Sequence, residues 1–155
     1  MRLSRQSWLS VMKTKVAFWD SSALLLLCLN QTGSGTARRY AHELPEKFAW
    51  WGTPVEVESA LCRLHGKGDI DNTALKQAQH AWQVMRKSLL EVQPRERLRE
   101  LAEEAPRKYG LRALDSFQLA AALAWCREKP RHRVLVTFDV KLGDAARKAG
   151  FSVYS

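Results

Sequence analysis

Cysteine is scarce in this chain: three thiols, Cys28, Cys62 and Cys126, in 155 residues. Their odd number, wide spacing and lack of any Cys-x-x-Cys pair argue against a disulfide scaffold and a thiolate zinc site, and fit a reducing cytoplasm. Glycine and proline are also few, 8 and 5 residues, which excludes a collagen-like repeat and, beside 46% hydrophobic residues, a disordered chain. No long apolar run exists. Runs such as Ala23 to Leu29, seven residues, fall far short of the roughly 20 that span a bilayer, so no membrane span is expected. The histidines His42, His65, His80 and His132 are scattered, with no pair at metal-ligand spacing, and read as surface residues. Internal repeats, linkers and low-complexity stretches are missing as well.

Positive charge is abundant. Lys and Arg number 25 against 16 Asp and Glu, a net +9, and a basic chain of this size implies a polyanionic partner, either nucleic acid or an anionic membrane surface. The length suits one compact domain with a real core. Residues 1–15 carry Arg2, Arg5, Lys13 and Lys15 and no acid, without the continuous apolar stretch of a secretory signal. They read as an N-terminal extension, with Met12 as the expected natural start and residues 1–11 as either an over-long reading frame or a loose arm. Removing residues 1–11 takes away Arg2 and Arg5 and leaves 23 − 16 = +7. The domain proper is expected over 16–155.

From Val16 onward short apolar runs alternate with helical patterns. Strands are expected at Val16–Trp19, Phe48–Trp51, Leu89–Val92, Arg133–Thr137 and Phe151–Tyr154. Between them lie helical patterns at Ala23–Leu29, Thr36–Leu44, Thr53–Leu64, Asp71–Leu90, Arg95–Lys108, Asp115–Glu128 and Val140–Lys148. Thr53-Pro-Val-Glu56 combines an N-cap residue, Pro at the first helical position and Glu three residues after the cap. Strands separated by helices predict an α/β fold, a three-layer α/β/α sandwich with a central, mostly parallel sheet.

Four acids fall at junctions between these elements. Asp20 follows the first strand, Asp139 follows the fourth by two residues, and Glu56 and Asp115 open two helices. Parallel sheets bind ligands at the carboxyl ends of their strands, so all four are placed to reach one crevice. Clustered carboxylates repel one another by roughly 4 kcal/mol per pair at 4 Å unless a cation compensates. Oxygen ligands without His or Cys suit Mg²⁺ or Mn²⁺, and beside a basic surface such a site suits hydrolysis of a phosphodiester. Each acid has an ordinary role open to it as well: Asp20 and Asp115 as helix caps, Glu56 as the far half of a capping box, Asp139 as a turn residue.

Read with their neighbours, these acids stand in four ordered motifs: Trp19-Asp-Ser-Ser-Ala-Leu24, Val55-Glu-Val-Glu-Ser-Ala-Leu61, Leu111-Arg-Ala-Leu-Asp-Ser-Phe-Gln-Leu-Ala120 and Val136-Thr-Phe-Asp-Val-Lys-Leu142. In this the chain resembles PIN-domain proteins, and most of all the VapC-like toxins of bacterial type II toxin–antitoxin pairs, over Val16 to Tyr154. The resemblance implies a PIN-like nuclease domain, a Mg²⁺-dependent endoribonuclease with Mn²⁺ as substitute. Asp20, Glu56, Asp115 and Asp139 match the acidic metal-binding and catalytic positions. Ser22 and Thr137 match supporting hydroxyl positions. It also implies an RNA substrate, a homodimer, and a small antitoxin that covers the acidic cleft and neutralises growth inhibition. A stand-alone RNA-processing nuclease and an inert nucleic-acid-binding domain of the same fold are the alternatives.

Around these acids, Arg112 and Lys141 are candidate RNA contacts, with Arg63, His65 and Lys67 after the Glu56 helix. Gln118, one turn from Asp115, is placed to line the site. Glu58 is expected to point elsewhere, since residues two apart do not share a helix face. Of Trp50 and Trp51, alternation along a strand buries one and exposes the other. The exposed ring can stack on bases, core packing or a dimer contact being its other role. A phospho-receiver-like domain also places acids at strand ends, but wants an acidic pair near the first strand and an acid ending a middle strand. Asp20 stands alone, and no acid ends the Trp50-Trp51 strand.

Overall fold

The computed structural model describes residues 15–155. The expected extension, and with it the question of Met12, lies outside the described residues except for Lys15. Five strands are present: β1 (Val16–Trp19), β2 (Glu46–Trp50), β3 (Leu90–Val92), β4 (Val134–Val136) and β5 (Ser152–Tyr154). Seven helices connect them among the described residues: α1 (Ser21–Cys28), α2 (Ser34–Glu43), α3 (Thr53–Gly66), α4 (Asn72–Arg86), α5 (Glu96–Tyr109), α6 (Ala113–Trp125) and α7 (Val140–Ala149). The sheet order is β3-β2-β1-β4-β5, and every pairing is parallel. The chain thus builds outward from β1 to β3, returns, and builds outward on the other side through β4 and β5. That reversal sits between β1 and β4.

Strand alternation explains the layers. In β1, Ala17 and Trp19 belong to one core and Phe18 to the other; in β4, Val136 and Leu135 divide in the same way. One core packs the sheet against Leu24 of α1, Val57 and Leu61 of α3 and Trp82 of α4. The opposite core packs it against Leu98 of α5, Leu119 of α6 and Leu142 of α7. A parallel sheet covered on both faces needs apolar side chains in both directions, which is why Val-Ala-Phe-Trp and Val-Leu-Val read as continuous runs. The chain is an α/β protein with a three-layer α/β/α arrangement, and its sheet is wholly rather than mostly parallel. No helix among the described residues is long and apolar enough to cross a membrane.

Several boundaries differ from expectation, each for a local reason. Asp20 caps α1 through Ala23 N, so that helix begins at Ser21 rather than Ala23. Gly33, not Thr36, precedes α2. The N-cap position of α3 is Gly52, and no capping box forms; Thr53 is buried and its hydroxyl accepts from Gln118 instead. Asp115 is not a cap either: α6 begins at Ala113, behind Arg112, leaving Asp115 in the first turn. That helix ends at Trp125, before the expected Glu128, and α4 ends at Arg86, before Leu90. Pro106 lies inside α5, which continues to Tyr109 and stops where Gly110 turns left-handed at φ 68°.

Gly52 is required by a close approach. A Cβ there would stand 2.5 Å from Trp50 Nε1. Trp50 stacks on Phe117 of α6 with ring centroids 5.6 Å apart and planes within 2°, so displacing the indole disturbs the seat of α6. Gly52→Ala is expected to destabilise the protein by about 1–3 kcal/mol, the usual cost of overpacking. Urea unfolding measures it; a midpoint equal to the parent's would show that Trp50 has room to move.

Candidate functional site

The carboxyl ends of β1 and β4 flank the point where the strand order reverses, the usual ligand crevice of an open parallel sheet. Asp20 leaves β1 and enters α1 as its cap; Asp139 leaves β4 and enters α7 as its cap, accepting from Leu142 N at 2.8 Å. Glu56 and Asp115 occupy the first turns of α3 and α6. Each acid therefore sits at a helix N-terminus, where the unpaired backbone N–H groups and the helix dipole favour negative charge. This is how the fold tolerates the cluster.

Hydroxyl groups tie the two strand ends together. Ser22 Oγ donates to Asp20 Oδ1 at 2.7 Å and accepts from Phe138 N at 3.0 Å. Thr137 is fully buried, lies 3.4 Å from Ser22 Oγ through its hydroxyl, and accepts from Asp139 N at 3.1 Å. Both hydroxyl residues singled out from the sequence thus bridge the β1 and β4 ends. Two further partners hold Glu56: Gln118 Nε2 donates to its Oε2 at 2.6 Å, and Ser21 Oγ to its Oε1 at 3.5 Å. Gln118 is itself buried, and the same nitrogen reaches Thr53 Oγ1 at 3.1 Å, while its Oε1 is buried without a partner. The amide must turn its NH₂ toward Glu56, since a carbonyl there would face a carboxylate oxygen.

The electrostatics couple all four acids. Burial pushes Asp20, which is 2% exposed, up to about 6, helped by Asp139 and opposed by the Ser22 and Ala23 bonds. Burial also raises Glu56 to about 7, with Asp20 and Asp115 adding to the shift and the Gln118 bond resisting it. Asp115 is raised by burial and by Asp139, and eased by Arg112 and Lys141. These influences close a ring: Asp20 with Asp139, Asp139 with Asp115, Asp115 with Glu56, Glu56 with Asp20. None of the four makes a salt bridge among the described residues.

Among the described residues no three His, Cys, Asp or Glu side chains already stand as a cage for an ion. Asp20 and Asp139 each give one oxygen to a backbone N–H, and Glu56 accepts from Gln118. What the crevice does offer is an all-oxygen donor set of four carboxyl groups without a salt-bridge partner among the described residues, the ligand chemistry that suits a hard divalent cation.

The remaining expectations divide. Arg112 and Lys141 lie near enough to Asp115 to lower its proton affinity, so both border the crevice. Arg63 lines a recess that also includes Glu56, whereas His65 and Lys67 fall at the far end of α3. Glu58 turns away, accepting from Gln79 at 2.7 Å. Trp50 is buried and Trp51 is 52% exposed. His42, His80 and His132 are exposed, while His65 is half-buried. Sequence reading missed Ser21 and the partnership of Thr53 with Gln118. The Ser-Ser doublet after Asp20 was the available signal for the first; no local pattern announces a bond spanning 65 residues.

No family model and no curated protein sequence matches the chain. Among solved structures it is similar to the crystal structure of PAE2754 from Pyrobaculum aerophilum, with a TM-score of 0.59 and 20% identity over 92% of this chain and 90% of that one. At that identity the likeness concerns the fold, a match along nearly the whole of both chains.

Proposed function

We propose that this protein is a PIN-type endoribonuclease that hydrolyses RNA phosphodiester bonds with Mg²⁺ or, in its place, Mn²⁺. The observation that carries the reading is the placement of Asp20 and Asp139 at the carboxyl ends of β1 and β4 with Glu56 and Asp115 in the first turns of α3 and α6, where Asp20, Glu56 and Asp115 each feel a neighbouring carboxylate, within a chain of net charge +9. Surplus negative charge in the crevice and positive charge over the chain are the two halves of a site for a divalent cation and a polyanion.

In this reading Asp20, Glu56, Asp115 and Asp139 hold the cation. When bound, a divalent cation supplies an acidified water for in-line attack and neutralises charge on the phosphoryl oxygens. The protein's own residues do the rest. Ser22 and Thr137 fix the Asp20 carboxylate and the Asp139 backbone relative to each other. Gln118 orients Glu56, whose raised proton affinity suits it to take a proton near neutral pH. Arg112 and Lys141 border the crevice and attract the RNA backbone.

The four ordered motifs support the more specific role: the toxin of a toxin–antitoxin pair, a homodimer whose acidic cleft a small antitoxin covers. Expression of the chain alone is then expected to arrest growth, and co-expression of its antitoxin to relieve the arrest.

Purified protein is expected to cleave single-stranded RNA with Mg²⁺ or Mn²⁺, to stop in EDTA, and to resume when the cation is restored. Asp115→Asn is expected to lower the rate by at least about a hundredfold, since loss of even an outer-shell partner of a metal costs about 10–100-fold. Cleavage that persists in EDTA, or that Asp115→Asn leaves intact, overturns the reading.

A further inference from the structure

Large exposed hydrophobic side chains crowd the rim of the acid crevice. Val55 is 74% exposed beside Glu56, Leu114 62% beside Asp115 and Val140 77% beside Asp139, with Trp51 at 52% just ahead of α3. Water disfavours such side chains, and nothing in the helix starts needs them there. Trp51, Val55 and Leu114 line one recess, and a contiguous exposed apolar patch marks a contact surface. Between the first turns of α3 and α6 this rim deepens into a recess of about 510 Å³, within the range of small-ligand sites. Trp51 and Val55 line it from one side, Leu114 and Phe117 from α6, and Ser59 and Arg63 along α3. Glu56, Ser21 and Ser22 belong to the same lining, so the recess reaches the acid crevice at Glu56.

We propose that this recess is a base-binding subsite that takes one unstacked nucleobase of single-stranded RNA, next to the phosphate presented to the acids. The assignment rests on the nuclease reading of the adjoining crevice. A nucleobase has flat apolar faces and a polar edge. The recess matches both, with the Trp51 ring and aliphatic walls for the faces and Ser59 for the edge. Phe117 is held rigidly for this, stacked on buried Trp50, and Trp51 stands edge-on to Trp50 with centroids 6.2 Å apart. Charge decides between a nucleotide and a purely apolar occupant. Arg63 lies in the lining, and Arg112 and Lys141 border the crevice near Asp115. Apolar walls edged by cations complement a base carrying phosphates. A base within a duplex has both faces covered by its neighbours, so the occupant is single-stranded.

The test uses the full chain in EDTA and a short oligouridylate carrying one 2-aminopurine. Stacking in the recess is expected to change the probe's emission saturably, and Trp51→Ala to weaken binding about tenfold or more, the usual loss for one base–aromatic stack. Leu114→Glu, at an exposed position on the facing wall, is expected to do the same, and thermal melts of both variants exclude unfolding. Unchanged affinity in both variants overturns the subsite, as does equal binding of the same probe within a duplex. If Trp51→Ala splits a dimer and leaves RNA affinity unchanged, the recess is a contact between copies and the proposal fails. The two readings separate cleanly. Metal-dependent cleavage with unchanged affinity in the variants removes the subsite and leaves the nuclease. Base binding lost in the variants, with no metal-dependent cleavage, leaves the subsite and removes the nuclease.

Discussion

Asp20→Asn is expected to remove metal-dependent RNA cleavage, by at least about a hundredfold, and at the same time to make the metal-free protein more stable. The second half follows from burial. Asp20 is 2% exposed and its pKa rises from an ordinary 3.8 to about 6 in the folded chain. Below about pH 4 the group is protonated folded or unfolded, and it costs nothing. As pH rises through 3.8 toward 6 the unfolded chain releases the proton more readily, and stability falls. Above about pH 6 the loss is complete, about 3 kcal/mol at 1.36 kcal/mol per pH unit. Asparagine carries no such penalty, and it caps a helix as well as aspartate does, so the bond from Ala23 N survives. In EDTA at about pH 8 the variant is therefore expected to melt roughly 6–12 °C above the parent, with the gap closing as pH approaches about 4. Asp20→Ala lacks the cap and is expected to gain less. Thermal melts across pH and a cleavage assay settle both halves. A variant less stable than the parent at about pH 8, or one that still cleaves, would sink the assignment of Asp20 as a carboxylate that a cation must neutralise.

Gln118→Leu is the second change with a large expected effect, and it acts through Glu56. The Gln118 bond is the leading influence holding the Glu56 carboxylate against burial, and even with it the group sits near 7. Leucine is close in volume, and it also removes the amide oxygen that is buried without a partner. Glu56 then loses a hydrogen bond to a charged group, an interaction of about 1.5–3 kcal/mol, and its proton affinity climbs further. At about pH 7 fewer molecules carry Glu56 as a carboxylate. The expected result is a drop in rate of about tenfold or more and a similar rise in the Mg²⁺ concentration for half-maximal rate. Both are expected to return toward the parent's values near pH 9, where Glu56 ionises regardless. That recovery separates a positioning residue from a structural one. A loss of equal size at every pH would mean that Gln118 matters only for tying α6 to the start of α3 through Thr53.

The architecture itself was largely legible in the chain. Val16–Trp19 and Val134–Val136 are runs too short and too apolar to be anything but strands covered on both faces, and the helices between them require parallel pairing. The misread boundaries share one cause. Thr53 and Asp115 have the residue types of helix caps, but each sits inside its helix, because packing of α3 and α6 against the sheet set where those helices begin. Capping preference is worth about 1 kcal/mol, and the burial of Leu61 and Leu119 outweighs it.

Sequence alone determined which acids stand at element ends, because strand and helix periodicity is local and places Asp20, Glu56, Asp115 and Asp139 without reference to one another. It determined equally that Trp50 and Trp51 take opposite environments. Only the tertiary structure decided that β4 pairs with β1, which brings Asp139 beside Asp20, and that α6 packs so that Gln118 meets Glu56 across 62 residues. It alone decided the raised proton affinities too, since desolvation depends on what covers a group rather than on its neighbours along the chain. The exposed rim of Trp51, Val55 and Leu114 is of the same kind. Each reads locally as an ordinary apolar residue, and they form one surface because the first turns of α3 and α6, helices on opposite faces of the sheet, border the same recess.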